Sequence, residues 1–263
     1  MIDRLRSHIQ TEKLFAPGER IILAVSGGAD SMVMLGLFRE LEVEIAVAHC
    51  NFRLRGAESE EDEVFLRDFC GENGLELYVR HFDTREHAVL TGMSVEMAAR
   101  QLRYDWFEAL RQQLAYDYVA TAHHQDDLIE TMLINLSRGT GIRGLTGIAS
   151  KAGRLIRPML FASRRQILEY AARKRIAYRN DSSNEELLYQ RNVIRHLIIP
   201  RFEEMNPAFR RNALRTAMIL RDTEQLYRQR IDELRKLVMS RSGTEFLFSI
   251  ARLKSMEPAA AIL

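Results

Sequence analysis

The sequence predicts an α/β protein with a doubly wound, mostly parallel sheet, followed by a smaller helical region. Strand-like and helix-like segments alternate along the first two thirds of the chain, at the spacing of β–α–β units. The strand-like segments are near-continuous apolar runs such as residues 43–49, which is typical of parallel strands buried on both faces. Three polar clusters follow directly after predicted strands. Because ligands of such sheets bind at the carboxyl ends of strands, these clusters contain the candidate site residues.

The order of elements follows from apolar periodicity and from helix start and stop signals. A short amphipathic helix is predicted at residues 1–15, strands at 20–25, 43–49, 75–82 and 116–122, and helices at 31–41, 58–73, 94–114 and 125–137. The glycine-rich residues 138–147 predict a loop, residues 155–159 a short strand and residues 163–175 a helix. From about residue 188 the chain is expected to be mostly helical, with breaks at Pro200 and Pro207.

The net charge of +2 conceals a division of charge between the two parts of the chain. Residues 1–150 carry 15 Lys and Arg against 24 Asp and Glu, whereas residues 151–263 carry 23 against 12. A basic region attracts polyanions such as nucleic acids, but solvated faces of Arg-rich helices give the same composition. Charge alone leaves both interpretations open.

Several classes of protein are excluded by composition. No apolar run reaches membrane-spanning length, and the N-terminus lacks the pattern of a signal peptide. The two cysteines, Cys50 and Cys70, form no CxxC pair and predict no disulfide framework. We therefore expect a cytoplasmic protein with no membrane partner.

A glycine-rich turn, Ser-Gly-Gly-Ala-Asp-Ser at residues 26–31, lies between the first predicted strand and the helix that follows it. Backbone N–H groups at such a turn, together with the positive end of the helix dipole, form an anion site. The turn is not a Walker A loop, because no Gly-Lys-Ser/Thr follows the glycines, and it lacks the GxGxxG of a dinucleotide fingerprint. Without a lysine of its own, the turn requires positive charge from a metal ion or from side chains elsewhere.

Two adjacent carboxylates, Asp126 and Asp127, follow His123 and His124 at the start of a predicted helix. The helix dipole stabilises carboxylates at this position without any function. Carboxylates at the carboxyl end of a strand also suit Mg²⁺, which prefers a few carboxylates, phosphate oxygens and water. Asp30 and Asp127 are therefore candidates to hold Mg²⁺ between the turn and a triphosphate, whereas the histidines match no zinc-binding spacing.

Two pairs of arginines are candidates to contact phosphates. Arg100 and Arg103 share a predicted helix face with Glu96, so an i,i+4 ion pair explains them as well as contact with developing charge in a phosphoryl transfer. Because the turn has no lysine, we favour the phosphate contact for this pair. Arg191 and Arg195 share a helix face in the basic half, where surface charge explains them as well as a polyanion contact.

Taken together, these clusters resemble the tRNA(Ile)-lysidine synthetase family of the N-type ATP pyrophosphatase, or PP-loop, superfamily. The resemblance covers about residues 21–207. Its motifs are SGGADS at 26–31, H-x-N-x-x-LRG at 49–56, E-x-x-x-R-x-x-RY at 96–104, HHQDD-x-x-ET at 123–131, RGTGIRGL at 138–145, RP at 157–158, D-x-x-N at 181–184 and RN-x-x-R at 191–195.

The resemblance implies an enzyme that uses ATP to adenylate the 2-oxygen of the wobble cytosine in the isoleucine tRNA with a CAU anticodon. The amino group of free L-lysine would then displace AMP. It implies that Asp30 and Asp127 hold Mg²⁺, that Arg100, Arg103, Arg191 and Arg195 act at the transition state or contact the tRNA, and that the nucleotide-binding residues are Ser26, Gly27, Gly28, Ala29, Asp30, Ser31, His49, Asn51 and His123.

Under this resemblance, residues 1–205 form the PP-loop catalytic domain and residues 206–263 a helical, basic region that contacts tRNA. Many relatives carry a further C-terminal tRNA-binding domain, so we expect the second region to be truncated. A homodimer is the candidate assembly. Cys50 stands where many relatives have a histidine, which puts the role of that position in doubt.

Two other functions are compatible with a nucleotide-binding turn. A PP-loop tRNA thiolase would adenylate a base before sulfur transfer, but such enzymes typically use paired cysteines, and Cys50 and Cys70 are isolated. A non-catalytic nucleotide-binding module would need affinity alone. The charged residues Asp30 and Asp127 argue against a non-catalytic module, because residues that stabilise developing charge are needed for a transition state and not for binding alone.

Overall fold

The computed structural model describes residues 1–179, 190–242 and 245–254. Its elements in chain order are α1 (Ile2–Thr11), β1 (Ile21–Ala24), α2 (Ala29–Glu40), β2 (Ile45–Asn51), α3 (Ala57–Glu72), β3 (Leu77–His81), α4 (Thr84–Thr91), α5 (Val95–Gln113), β4 (Tyr118–Ala120), α6 (Gln125–Arg138), α7 (Ile142–Leu145), β5 (Lys151–Ala152), β6 (Leu155–Ile156), α8 (Arg164–Lys174), α9 (Gln190–Val193), a π-helical turn (Ile194–Ile198), α10 (Ile199–Met205), α11 (Phe209–Val238), β7 (Met239–Ser242), β8 (Glu245–Phe248) and α12 (Ile250–Lys254).

The sheet confirms the predicted fold class. Six strands lie in the order β3-β2-β1-β4-β6-β5, and every neighbouring pair is parallel except β5 with β6. Strand β1 is central, since Leu23 pairs with both Val47 of β2 and Ala120 of β4. The strand order reverses between β1 and β4, and in doubly wound sheets this reversal leaves a crevice at the carboxyl ends of the strands. The residues that follow β1 and β4 are therefore placed to form a site together.

Helices pack on both faces of the sheet because successive side chains of β1 point to opposite sides. Leu23 joins the larger apolar cluster, which contains the fully buried Phe38 of α2 and Ile167 of α8. Ile22 joins the smaller cluster on the other face, which contains Phe107 of α5. The apolar runs of the central strands thus serve two cores at once, as expected for a sheet covered on both faces.

The observed elements differ from the predicted ones mainly at their ends. Predicted strands overrun the observed ones, as at 116–122 against Tyr118–Ala120, because only residues paired across the sheet form the strand. Ser94 caps α5 as predicted, with its Oγ accepting from the N–H of Met97. The sequence also predicts an apolar stripe along this helix through Val95, Ala99, Leu102 and Trp106. Ala99 is buried and Leu102 and Trp106 are half-buried, whereas Val95 is exposed. Strand β6 falls within the short strand predicted at residues 155–159, whereas sequence reasoning missed α4 and β5.

Residues 138–147 contain the one-turn helix α7, although the sequence predicted only a loop. Asn135 on α6 donates a hydrogen bond from Nδ2 to the carbonyl of Gly144 (2.9 Å), which fixes α7 beside α6. Gly147 adopts φ +72°, and a Cβ at this position would lie 2.8 Å from the carbonyl oxygen of Leu128. The glycines here allow close packing of two backbones, not only a turn.

The described part of the chain after residue 190 is mostly helical, as predicted, with a β7–β8 hairpin that was missed. Ala217 near the middle of α11 is buried against Leu128 of α6, and Ala213 joins a neighbouring cluster with Ile129. Residues 181–184, which carry one motif of the resemblance, lie outside the described residues. Within the described ranges, no helix combines the length and apolar character needed to cross a bilayer.

Gly147 and Gly153 provide a matched test of this packing. Both adopt positive φ, but a Cβ at Gly153 meets nothing within 4 Å. Gly153→Ala should therefore lower the free energy of unfolding by about 1 kcal/mol, the cost of the left-handed conformation alone. Gly147→Ala should lower it by a further ~2 kcal/mol, because the methyl group displaces α6. Urea unfolding of both variants checks this, and equal losses would show that the close approach at Gly147 does not matter.

Candidate active site

The turn between β1 and α2 keeps its shape through two serines. Ser31 Oγ donates a hydrogen bond to the carbonyl of Gly28 (2.9 Å) and accepts one from the backbone N–H of Ser26 (3.2 Å). Gly27 adopts φ +89°, which favours glycine, and Gly28 is the N-cap of α2. The first N–H groups of α2, beginning at Ala29, lack acceptors within the helix. The turn at the carboxyl end of β1 is thus built as the sequence predicted, and it can receive an anion.

The second cluster lies at the carboxyl end of β4 and faces the first. Asp127 Oδ2 accepts a hydrogen bond from the backbone N–H of His124 (2.9 Å) at the start of α6. His124 Nε2 lies 3.5 Å from Asp127 Oδ2 and 3.8 Å from Asp30 Oδ2. Burial lowers the pKa of His124, but the nearby carboxylates outweigh it and raise the pKa overall. The structure therefore brings Asp30 and Asp127 together at one nitrogen of the His124 imidazole, which sequence reasoning did not assign to the site.

The donor set around Asp30 fits a magnesium ion. Asp30 Oδ1 is buried and, among the described residues, accepts no hydrogen bond. Burial raises the pKa of Asp127, but the neighbouring histidines and arginine outweigh it, so its pKa is lowered and the carboxylate stays charged. A buried carboxylate oxygen without a partner and a second ionised carboxylate are ligands that Mg²⁺ accepts. The two residues predicted to hold Mg²⁺ are thus suited to do so.

Asp126 connects three helices at this site. Its Oδ2 accepts a hydrogen bond from the backbone N–H of Arg164, the first residue of α8 (2.7 Å). Its Oδ1 pairs with the guanidinium of Arg210 on α11, which also contacts Glu203 (2.7 Å). The guanidinium of Arg164 pairs with Asp30. Sequence reasoning missed both arginines, although Arg164 follows the predicted strand at 155–159 in the same way that the other clusters follow their strands.

Arg191 and Arg195 face the carboxylates of α6, which sequence reasoning had left undecided. Arg195 donates to both carboxylate oxygens of Glu130 (2.7 and 3.1 Å) and lies 3.6 Å from Asp127 Oδ1. Arg191 Nε lies 3.5 Å from Glu130 Oε2. The side chain of Glu130 is 0% exposed, and this burial raises its pKa even though Arg195 opposes the shift. A buried glutamate therefore orients two arginines beside the candidate metal ligands.

Arg100 and Arg103 lie on α5 and contact aromatic rings. The guanidinium of Arg100 lies 4.8 Å from the ring centre of Tyr104, and that of Arg103 lies 5.1 Å from the ring centre of Phe52. In the part of the chain that the structure describes, neither arginine pairs with a carboxylate, so the alternative interpretation, an ion pair between Glu96 and Arg100, is not observed. Both charges therefore remain available for an anion, with aromatic faces supporting them.

Of the two predicted nucleotide-binding histidines, His49 is buried and His123 is half-buried. His49 Nδ1 donates a hydrogen bond to the carbonyl of Val25 (2.9 Å), which ties the end of β2 to the residue before the phosphate turn. Burial lowers the pKa of His49, so this ring is neutral near pH 7. Burial also lowers the pKa of His123 to about 4, assisted by the charges of Arg157 and Arg191, and His123 Nδ1 lies 2.9 Å from Thr121 Oγ1.

Asn51 lies at the end of β2 and is fully buried. Its Nδ2 donates to Glu63 Oε2 (3.0 Å), and its Oδ1 accepts from the N–H of Arg53 (3.1 Å). Burial raises the pKa of Glu63, but hydrogen bonds from Asn51, Arg67 and His81 outweigh it and lower the pKa to about 2. Asn51 therefore shapes the β2–α3 loop, and its contact with a nucleotide stays a prediction.

The sheet order, the phosphate turn and the paired carboxylates define a PP-loop protein. Residues 3–202 match the PP-loop domain family, and the chain belongs to that family. The structure of U34-tRNA thiolase NcsA from Methanococcus maripaludis, with its 4Fe-4S cluster, is similar in fold: the TM-score is 0.66 at 18% identity, over 83% of this chain and 77% of that one. At this identity the likeness concerns the fold alone.

Similarity to curated relatives shows which family within the PP-loop class the chain belongs to. The tRNA(Ile)-lysidine synthase of Petrotoga mobilis is 36% identical over 229 residues, which cover 86% of this chain and 73% of that protein. The chain therefore belongs to the tRNA(Ile)-lysidine synthase family. The protein of that name from Porphyromonas gingivalis is 44% identical over 245 residues, 92% of this chain and 54% of the relative. The one from Chlorobaculum tepidum is 47% identical over 201 residues, 75% of this chain and 61% of the relative. The chain spans about half the length of the first of these curated relatives.

The Glu130–Arg195 pair allows a test of the buried charges. Arg195→Met should lower the free energy of unfolding by about 3 kcal/mol, because it leaves a buried carboxylate without its main partner. Glu130→Gln together with Arg195→Met should recover part of this loss, since the unpaired charge is then removed. A double-mutant cycle measured by urea unfolding at pH 7 gives the coupling energy.

The matched control is the Arg201–Glu204 pair, which has the same 2.7 Å separation but two exposed side chains. Arg201→Met should cost less than about 1 kcal/mol. Equal losses for Arg195→Met and Arg201→Met would contradict the assignment of Glu130 as a buried, charge-dependent anchor.

Asp126 should make the stability of the protein depend on pH in the acid range. Burial raises the pKa of Asp126, but His124, the N–H of Arg164 and the charge of Arg210 outweigh it and lower the pKa to about 2. The folded state therefore gains stability above the unfolded pKa near 4, and this gain disappears as the pH falls toward 2. We expect Asp126→Asn to cost on the order of 2 kcal/mol from pH 5 to pH 8, and progressively less below pH 4.

Denaturant unfolding of the wild type and Asp126→Asn at a series of pH values measures this difference. Asp222→Asn, on an exposed position of α11, is the control and should show the same pH dependence as the wild type. A difference between Asp126→Asn and the wild type that stays constant from pH 7 to pH 3 would contradict the role of this carboxylate.

Proposed function

We propose that this protein ligates lysine to the 2-position of the wobble cytidine of the isoleucine tRNA with a CAU anticodon. The reaction consumes ATP and proceeds through an adenylated cytidine. The name shared by the curated relatives, tRNA(Ile)-lysidine synthase, supports this activity, and four of them are 40–48% identical to this chain. The observation that supports the proposal within this chain is a phosphate turn whose Asp30 meets Asp127 at one nitrogen, Nε2, of His124.

The first step transfers the adenylyl group. The cytosine 2-oxygen attacks the α-phosphorus of ATP, the bond to the bridging oxygen breaks, and pyrophosphate leaves. We assign the phosphates to residues 26–31, where N–H groups at the start of α2 receive negative charge. Mg²⁺ held by Asp30 and Asp127 would neutralise charge that accumulates on the phosphate oxygens. His49, Asn51 and His123 surround the nucleotide in this proposal.

The second step forms the carbon–nitrogen bond. The uncharged amine of lysine attacks C2 of the adenylated cytosine, the C2–O bond breaks, and AMP leaves with the former carbonyl oxygen. Adenylation makes this possible because it turns a poor leaving group into a phosphate ester. We assign Arg100 and Arg103 to charge stabilisation or tRNA contact, and Arg191 and Arg195 to the same site. The positions of Arg191 and Arg195 beside Glu130 support that assignment.

The remaining proposals concern partners, location and division into domains. Free L-lysine and the tRNA are the substrates, and ATP is the energy source that the PP-loop family supports. We propose a cytoplasmic location, a homodimer as the assembly, and a division into a catalytic domain at residues 1–205 and a tRNA-contacting region at 206–263. Exposed apolar side chains such as Leu226 and Phe246 are consistent with a further contact surface in the second region.

A thiolase activity is disfavoured by the positions of the cysteines. Cys70 is buried in the larger apolar cluster, whereas Cys50 packs against the smaller cluster on the opposite face of the sheet. Both are free thiols. Two cysteines separated by a sheet cannot hold one cluster or form one transferable persulfide pair. The alternative in which a base is adenylated and then receives sulfur therefore has no support among the described residues.

The proposal is tested by incubating the protein with ATP, Mg²⁺, L-lysine and the CAU isoleucine tRNA. Nucleoside mass spectrometry should show cytidine that has gained one lysine and lost one water. A tRNA in which the wobble cytidine is replaced by uridine is the control and should give no product. AMP release that requires another acceptor, with no lysine-containing nucleoside, would refute the proposed function.

Asp30→Ala should lower the rate of AMP and pyrophosphate formation by at least about 100-fold, because Mg²⁺ loses a ligand and the phosphate charge is then less neutralised. The matched control is Asp68→Ala, which removes a carboxylate of α3 outside the two carboxylate clusters of the site. Circular dichroism and thermal unfolding should show that both variants remain folded. Normal turnover in Asp30→Ala would eliminate the metal-binding role of that residue.

A further inference from the structure

The guanidinium of Arg164 is the cation in direct contact with the phosphate turn. It pairs with Asp30, the acidic residue of the turn itself. The other arginines near the site have different partners in the described residues. Arg195 donates to Glu130, and Arg210 contacts Asp126 and Glu203. A turn without a lysine of its own thus receives a positive charge from α8, the helix that packs beside α2.

The backbone of Arg164 is held in place by hydrogen bonds, whereas its side chain is partly exposed. Asp126 accepts a hydrogen bond from the N–H of Arg164 (2.7 Å), and the N–H of Gln125 donates to the carbonyl of Ala162 (2.9 Å). These bonds hold the start of α8 against the start of α6. The side chain of Arg164 is 40% exposed, so its guanidinium can turn about a fixed anchor. A small rotation away from Asp30 leaves the guanidinium next to the phosphate turn.

We propose that Arg164 is a nucleotide-binding residue that exchanges partners: it neutralises Asp30 when the site is empty and binds the β- and γ-phosphates when ATP and metal enter. The inference rests on the proposed use of ATP. The metal and Arg164 would share one carboxylate, because Arg164 pairs with Asp30 Oδ2 while the buried Oδ1 has no hydrogen-bond partner among the described residues and is the oxygen open to a metal. A metal on Oδ1 repels the guanidinium on Oδ2. When the metal takes Asp30, the guanidinium loses its partner within reach of a new anion. A guanidinium binds phosphate oxygens with two parallel hydrogen bonds.

This exchange predicts effects of opposite sign for one substitution. Without Arg164, Asp30 loses the guanidinium that competes with a metal, so a divalent metal alone should bind more tightly. The triphosphate loses a partner, so ATP should bind more weakly. A residue with a purely structural role would weaken both, since a distorted turn serves neither ligand. AMP lacks the β- and γ-phosphates, and its affinity should therefore change little.

Arg165 offers a matched control on the same helix. It is the next residue, its side chain is 86% exposed, and its ion pair is with Glu169 at 3.6 Å. Arg165→Ala removes the same charge from α8 without touching the turn. Any effect of net charge on nucleotide affinity appears in both variants, and an effect of position appears in Arg164→Ala alone.

The experiment measures binding to the full chain in the absence of tRNA and lysine. Mn²⁺ alone, followed by electron paramagnetic resonance, should bind Arg164→Ala at least threefold more tightly than the wild type. ATP with Mg²⁺, followed by calorimetry, should bind that variant about tenfold or more weakly. Arg165→Ala should stay within twofold of the wild type for Mn²⁺, ATP and AMP.

Arg164→Gln distinguishes charge from shape. It keeps a polar side chain without the positive charge and should behave like Arg164→Ala, whereas recovery of ATP affinity in Arg164→Gln would overturn the inference. Equal losses for ATP and AMP, or weaker Mn²⁺ binding, would also overturn it. If the wild type binds no ATP, the proposed function itself is refuted. If the wild type binds ATP but no more tightly than Arg164→Ala does, only the role of Arg164 is refuted.

Discussion

The structure depends on keeping four acidic side chains together at the point where the sheet reverses its strand order. Asp30 stands at the start of α2, Asp126 and Asp127 at the start of α6, and Glu130 one turn further along α6. Helix dipoles favour the first three, but carboxylates this close repel one another and lose solvation. They persist because cations from other elements reach them. The folding of the later helices onto the sheet is therefore partly an electrostatic requirement of the site.

This requirement changes the meaning of the charge division in the sequence. The basic half was expected either to bind a polyanion or to form solvated helix faces. Much of its charge instead neutralises the acidic half, through Arg164 with Asp30, Arg195 with Glu130 and Arg210 with Asp126. Further pairs of the same kind join Arg179 to Asp62, Lys174 to Glu40 and Arg221 to Glu12. A composition statistic cannot separate charge used inside the fold from charge offered to a partner.

The fold was predictable because its signals are local. Apolar runs, cap residues such as Ser94 and the Ser-Gly-Gly turn are written in consecutive residues, and β–α–β order restricts the topology. The two sides of the site were predictable for the same reason, since each follows a strand. The bridging role of His124 and the contacts of Arg164 and Arg210 were not, because they join positions far apart in sequence.

The contacts of α11 affect how this protein can be divided. A cut at residue 205, where the helical region was expected to begin, would remove Arg210 from Asp126 and the small residues Ala213 and Ala217 from the surface of α6. Even Arg221, three turns into the helix, reaches the carbonyl of Ile148 and the carboxylate of Glu12. The piece that can be exchanged between relatives without disturbing the nucleotide site therefore starts inside a continuous helix. The junction of a chimera that keeps these contacts therefore lies beyond residue 221, and not in the loop before α11.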